Sequence, residues 1–484
     1  MHGQSQSQSQ SPSNSHENSV PNSSSVATAL DALGTDEEKQ RLIGQWFDAQ
    51  RIDANTLPAR AFWEHVAHCN GLAVGRWKFV ADPHAVRNIL ENAHGLFTVR
   101  EYNRRMHATS GRFYLGMDGT EHEGDAQYGA IIPSWNAPLS TPAVQAPAVL
   151  EQVRQVAETA SRHVLAALGR RTRLARLSDQ DAHCRLTIGE LLGAVLDACV
   201  TKFFGVPGPS ELSLIRWAED VTWYHFRIQA NETEDRSAAL QASAQYRGHV
   251  LSLIAQLDEE PRPEGAAATP DSQRAREAIA AQKNTLRKHV TAIRTRMQGD
   301  NTQATISDDD VARNLIGIMT GSLSATAKAF GEAVAVQVTG DDGRIRWPRT
   351  SAAQPSVPSQ TTRELRAFPL YDAIIAGPLR NARRGSLDAI YRVYRGDTAY
   401  TEGSLTIQQE DLVIVWIGST LEAEPNNLFG IGPHKCPGMD MAKAILEGTL
   451  YALTSLPDEA GVTRERIDGD LYLAFEDPAR LEAL

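Results

Sequence analysis

At 484 residues the chain could hold two or three average domains or one large one, and length alone does not choose. A net charge of −11, with no long basic stripe to offset it, argues against a nucleic-acid binder. The four cysteines, Cys69, Cys184, Cys199 and Cys436, are widely spaced with no C-x-x-C pair, which points to a reducing compartment and away from a zinc site.

Residues 1–25 are mostly Gln, Ser, Asn and Pro with almost nothing to bury, and a disordered tail is expected. No charged-then-apolar leader opens the chain and no long apolar run follows, so a soluble, cytoplasmic protein without membrane contact is expected. Leu42, Ile43, Trp46 and Phe47, then Phe62, Trp63 and Val66, recur at helical spacing. Residues 75–90 read as a short strand, a turn at Asp82-Pro83 and a helix. Asp118 with Glu121 three residues on is a capping box for a helix that carries His122. Residues 147–258 read as mostly helical, broken near Gly205 and Asn231. Within them Trp217, Trp223, Tyr224, His225 and Phe226 either line a cavity or pack as core. The Pro- and Ala-rich stretch 259–272 reads as a loop.

Ser307 with Asp310 is a second capping box, opening a long apolar helix to about Val336. One face carries Gly317, Thr320, Gly321 and Ser324; the others carry Leu315, Ile316, Ile318, Met319 and Leu323. So small a stripe admits either a broad flat group or a neighbouring helix. Residues 341–361 form a polar loop; Arg363, Arg366 and Pro369 follow, then a basic run of Arg380, Arg383 and Arg384. Residues 398–417 alternate and end in Leu412-Val-Ile-Val-Trp-Ile, a pattern of strands.

The stretch 429–438 reads F-G-I-G-P-H-K-C-P-G, and an apolar helix-forming run follows. Gly430, Gly432 and Gly438 permit tight turns and close approach to a flat ligand. Cys436 sits just before a helix start, where free N–H groups favour a thiolate. Pro437 has no N–H, so Gly438 and its successors would donate to the sulfur. A thiolate so placed suits an axial bond to haem iron.

Phe429, Gly432, Cys436 and Gly438 resemble the cysteine-ligand signature of cytochromes P450, F-x-x-G-x-x-x-C-x-G, with Gly430 and His434 as bacterial-style extras. The resemblance implies a mainly α fold with small β-sheets, the cytochrome P450 fold, over residues 26–484 as one domain around haem b. Cys436 would be the iron ligand, and Phe429, Gly432, His434 and Gly438 would shape its loop. His122 and Arg380 would meet the haem propionates, although the expected second cation after His122 is Ala126. The long helix would cross the distal haem face with Thr320, Gly321 and Ser324 at the reaction centre. Two hallmarks are missing. Leu323 stands where the family's acid of the acid–alcohol pair is expected, and Arg363 where the glutamate of E-x-x-R is expected before Arg366. The implied activity is a monooxygenase-type oxidoreductase that acts on an apolar small molecule, served by a ferredoxin- or flavodoxin-type donor. The alternatives are a peroxide-driven peroxygenase or hydroperoxide isomerase, and a haem-binding protein without turnover.

Overall fold

The computed structural model describes residues 23–49, 58–111, 147–177, 183–210, 212–226, 232–258, 270–298, 306–335, 343–345, 347, 368–377, 389–467 and 470–484. Asp118, His122, Arg363, Arg366, Arg380, Arg383 and Arg384 lie outside them. The first helices are α1 (Ser23–Asp31), α2 (Asp36–Ala49) and α3 (Pro58–His68). The chain is thus helical from Ser23, slightly inside the expected tail, because Val26 and Leu30 find apolar neighbours and are buried. The expected strand–turn–helix is present as β1 (Leu72–Val74), β2 (Trp77–Val80) and α4 (Pro83–Glu91). Asp82 caps α4 by accepting the Ala85 N–H at 2.8 Å, and Pro83 sits where a missing N–H costs nothing. β3 (Phe97–Thr98) and α5 (Arg100–Ala108) follow.

The helical body comprises α6 (Pro147–Leu177), α7 (Ile188–Phe204), α8 (Ser213–Phe226), α9 (Glu232–Ala255), α10 (Pro270–Gln298) and α11 (Asp308–Ala335). A short strand, β4 (Arg185–Thr187), precedes α7. Gly205 ends α7 in the left-handed conformation, as the break there requires. α10 already begins at Pro270, inside the stretch read as loop, because proline is compatible with a first helical turn. α11 opens on the Ser307–Asp310 box, with Ser307 Oγ accepting the Asp310 N–H at 3.1 Å. It is the central helix, packed against α7, α8, α9 and α10.

The remaining strands are β5 (Ala389–Tyr394), β6 (Tyr400–Glu402), β7 (Leu405–Ile407), β8 (Leu412–Trp416), β9 (Val462–Ile467) and β10 (Asp470–Phe475). The largest sheet has the order β1-β2-β8-β5-β3, with β2 and β8 parallel and the other pairs antiparallel. Trp63 of α3 stacks on Trp416 of β8, with ring centroids 5.7 Å apart, and joins this sheet to the first helices. β4, β10 and β9 form a second sheet, and β6–β7 is a hairpin. Two further helices, α12 (Met439–Thr454) and α13 (Pro478–Glu482), pack on α6. Gly448 permits the closest part of that contact: a Cβ there would run into the Arg154 carbonyl of α6. The mainly α architecture with small sheets is the one expected.

Candidate functional site

The cysteine loop is built from two short 3₁₀ turns, Pro425–Phe429 and Gly432–His434, ahead of α12. The Cys436 N–H donates to the Phe429 carbonyl at 2.7 Å, and the Lys435 N–H to the Gly432 carbonyl at 3.1 Å. Gly432 has φ +73°, and a Cβ there would collide with the Leu90 carbonyl and lie 2.9 Å from Glu91 Cα. This glycine therefore answers to the end of α4 packed against the loop, where the sequence suggested approach to a flat ligand. Phe429 lies under Lys443, whose Nζ sits 5.5 Å from its ring centroid and donates to Asn426 Oδ1.

Cys436 is exposed by surface area, yet enough protein surrounds it that burial pushes its thiol pKa up. The Gly438 N–H bonds the sulfur and opposes the rise, as Pro437 leaves it to do, but burial is the larger effect. The expected thiolate preference is thus reversed in the protein alone; a cation at the sulfur would be needed to restore it.

On α11, residues 314–320 are all buried, and then Gly321 and Ala325, one turn apart, are exposed. Among the described residues, a Cβ on Gly321 would meet nothing within 4 Å. Among the described residues, nothing thus covers the helix at Gly321, and Ala325 is exposed beside it. The other small residues of the stripe, Gly317, Thr320 and Ser324, are buried. Ser324 Oγ donates to Thr222 Oγ1 of α8 at 2.7 Å. The Thr320 hydroxyl is 1% exposed and has no hydrogen-bond partner among the described residues. Leu323 is fully buried, about 200° around the helix from Gly321.

His434 is half-buried, and desolvation pushes its pKa down to about 3, with Arg392 adding to the shift. Its imidazole is neutral at physiological pH. Arg392, in the middle of β5, is 3% exposed and donates to the Tyr391 carbonyl at 2.7 Å. Sequence reasoning did not single it out, and Arg380, which it did name, lies outside the described residues. The available signal was a lone arginine inside the apolar strand A-I-Y-R-V-Y. The aromatic cluster of α8 divides between neighbours. Trp217 packs beside Tyr246 of α9, while Tyr224 and His225 are buried towards α5. His225 Nε2 lies 2.7 Å from the Thr109 hydroxyl, and burial pushes the imidazole pKa down to about 3.

Among the described residues no group of three or more His, Cys, Asp or Glu side chains is placed to hold a metal. A metal at Cys436 would take this one ligand and draw the rest from a non-protein group. An accessible sulfur, a helix stripe of small residues and a buried arginine near enough to His434 to lower its pKa are each compatible with a flat, anionic, sulfur-ligated cofactor. Among the described residues no helix is long and apolar enough to cross a membrane.

No protein-family model matches the chain. No curated protein matches it either. Solved structures do resemble it. One is ligand-free CYP164A2 of Mycobacterium smegmatis, at 14% identity and TM-score 0.53, covering 88% of this chain and 99% of that one. P450BioI, in complex with an acyl carrier protein ligated to hexadec-9Z-enoic acid, matches at 12% identity and TM-score 0.52 over 87% and 98%. CalO2 matches at 14% identity and TM-score 0.52 over 86% and 96%. At such identities the likeness speaks for the fold: the chain has the cytochrome P450 fold.

Proposed function

We propose that the chain is a haem-thiolate oxidoreductase of the monooxygenase type, with Cys436 as the protein ligand of a b-type haem and an apolar small molecule as substrate. The observation that carries this reading is Cys436 itself, accessible at the start of α12 in a tight loop whose Cys436 N–H returns to the Phe429 carbonyl. When bound, the haem supplies an iron whose thiolate ligation favours O–O cleavage. The chain's own part is to hold the sulfur, orient the substrate and manage protons. The Gly438 N–H steadies the sulfur. Gly321 and Ala325 leave room for a flat ring, and Phe429 and Gly432 keep the loop in register. His434 and Arg392 supply neutral and cationic donors for a propionate, with His122 and Arg380 as further propionate partners. Arg392→Ala is expected to weaken haem retention about tenfold or more, since a buried charge-assisted hydrogen bond is worth roughly 1.5–3 kcal/mol. Haem content after purification checks it, with His434→Ala expected to be milder.

Proton delivery separates the two enzymatic readings. A dioxygen-driven reaction draws two electrons from a ferredoxin- or flavodoxin-type donor and needs positioned protons. Leu323 carries none, and the Ser324 hydroxyl is committed to Thr222. A hydroperoxide arrives already reduced and asks less of these groups. This favours peroxide turnover at least equal to turnover with dioxygen and a reductase. Product yield from one bound substrate under each oxidant tests it, with Thr222→Val expected to release Ser324 and raise the reductase-driven yield. Product from the reductase system alone, with no gain from Thr222→Val, would discard the peroxide reading. No product under either oxidant, across an apolar panel of compounds that bind, would discard catalysis.

A further inference from the structure

Glu447 of α12 is 0% exposed. Its two carboxylate oxygens accept the main-chain N–H groups of Leu370 and Tyr371, at 3.2 and 2.6 Å. Those two N–H groups open the helical segment 369–377, whose middle, Tyr371–Ala376, winds as a π-helix. The first N–H groups of a helix have no carbonyl within their own turn to reach. Pro369 has none to offer, and Phe368 just before it carries no side-chain oxygen to act as a cap. The helix's own bonding is established at Asp372, whose N–H reaches the Phe368 carbonyl at 2.8 Å. Leu370 and Tyr371 are therefore capped from another helix, 77 and 76 residues further along the chain.

That helix is the one that begins just after Cys436. α12 is locked against α6 beside Gly448, next to Glu447 in sequence, and the same helix packs on the π-helical turn and on α11. We propose that Glu447 is a positioning residue: by capping the segment 369–377 it fixes the start of that segment to α12, and so sets where Cys436 stands.

The groups facing this carboxylate are Arg154 on α6, Asp372 in the π-helix and Tyr451 one turn along α12. Burial pushes the carboxyl up to about 7, against the pull of the Tyr371 and Leu370 N–H groups and of Arg154. A carboxyl raised from its ordinary 4.5 binds its proton more tightly in the folded chain. It therefore adds stability that is full below about 4.5, declines as pH rises from there, and is gone above about 7. The cap itself changes the other way, because the ionised form is the better acceptor for both N–H groups.

The test uses the full chain and three variants. Glu447→Gln keeps the volume but turns an NH₂ group toward one of the two N–H donors. Glu447→Leu removes both acceptors, and Glu447→Asp restores the charge on a shorter arm. Amide hydrogen exchange is read at Leu370 and Tyr371. Iodoacetamide labelling is read at Cys436 by peptide mass in the haem-free chain. In haem-loaded protein the thiolate share of the ferrous CO spectrum is followed from pH 6 to 8. Exchange about tenfold faster in Glu447→Gln, a labelling rate at Cys436 changed several-fold, and partial recovery in Glu447→Asp are expected. The thiolate share should fall in the same order as the exchange rises. Unchanged exchange in Glu447→Gln would remove the cap. Faster exchange with unaltered labelling at Cys436 would remove the positioning role. Only the spectral readout rests on the haem reading; a wild-type chain without a thiolate band would count against that reading and leave exchange and labelling to decide on Glu447. Should Glu447→Leu fail to fold, Glu447→Gln and the pH dependence of wild-type exchange at the same two amides carry the decision.

Discussion

Cys436→Ala is expected to abolish the strongly red-shifted Soret band of the ferrous CO complex and most haem binding with it. The loop offers iron a single sulfur, and no group of three or more potential ligands elsewhere among the described residues is placed to take over. The fold should survive. Cys436 is an exposed side chain, so its truncation leaves no cavity in the core. Haem content, the CO difference spectrum and a thermal melt of the haem-free chain together check the prediction. A mutant that keeps the red-shifted band would overturn the ligand assignment, whatever its activity. Loss of the melt along with the band would instead show that the residue is structural.

Gly432→Ala is the second large effect. The residue has φ +73°, a region that costs an L side chain about 1–2 kcal/mol. Its Cβ would also meet main-chain atoms of Leu90 and Glu91, which cannot swing aside as the tip of a side chain can. We expect a total loss of about 2–4 kcal/mol in stability, the range of point mutants that combine strain with overpacking. The loop can relieve the collision only by lifting from α4, so haem retention should fall as well. Gly438→Ala is the control. Its φ of −89° suits any residue, and its added Cβ would lie 3.9 Å from Cys436 Sγ, an ordinary contact. Chemical denaturation of both variants should show the first clearly destabilised and the second within about 0.5 kcal/mol of wild type. Equal tolerance would mean that the loop is not held by α4.

Features whose partners lie a few residues apart were legible before any fold was known. The Ser307 cap closes on an N–H group three residues ahead and the Asp82-Pro83 turn leads straight into a helix, each beside an apolar periodicity that marks the helix. The cysteine loop was legible for the same reason, since the Cys436 N–H returns to Phe429 within it. The site around the loop was harder. Thr320, Gly321 and Ser324 share a stripe in sequence, but a stripe has no preferred neighbour until other helices arrive. In the structure α8 takes Ser324 through Thr222, 102 residues away, while Gly321 and Ala325 are left open.

By itself, then, the sequence determined the box that opens α11, the strand–turn–helix at 75–90, the strand at 412–416 and the glycine-rich turn around Cys436, because each depends on short-range hydrogen bonds, backbone freedom or hydrophobic period. Tertiary structure decided which charges and hydroxyls meet. Arg392 comes near enough to His434 to lower its pKa only once β5 is enclosed in its sheet. Glu447 reads as an ordinary polar position on a helix until the segment 369–377 is laid against it and its two N–H groups require an acceptor. The acidity of Cys436 likewise escaped a local reading. The helix start favours the thiolate, but desolvation by chain from elsewhere outweighs it, and how much chain surrounds a side chain is a property of the packed molecule.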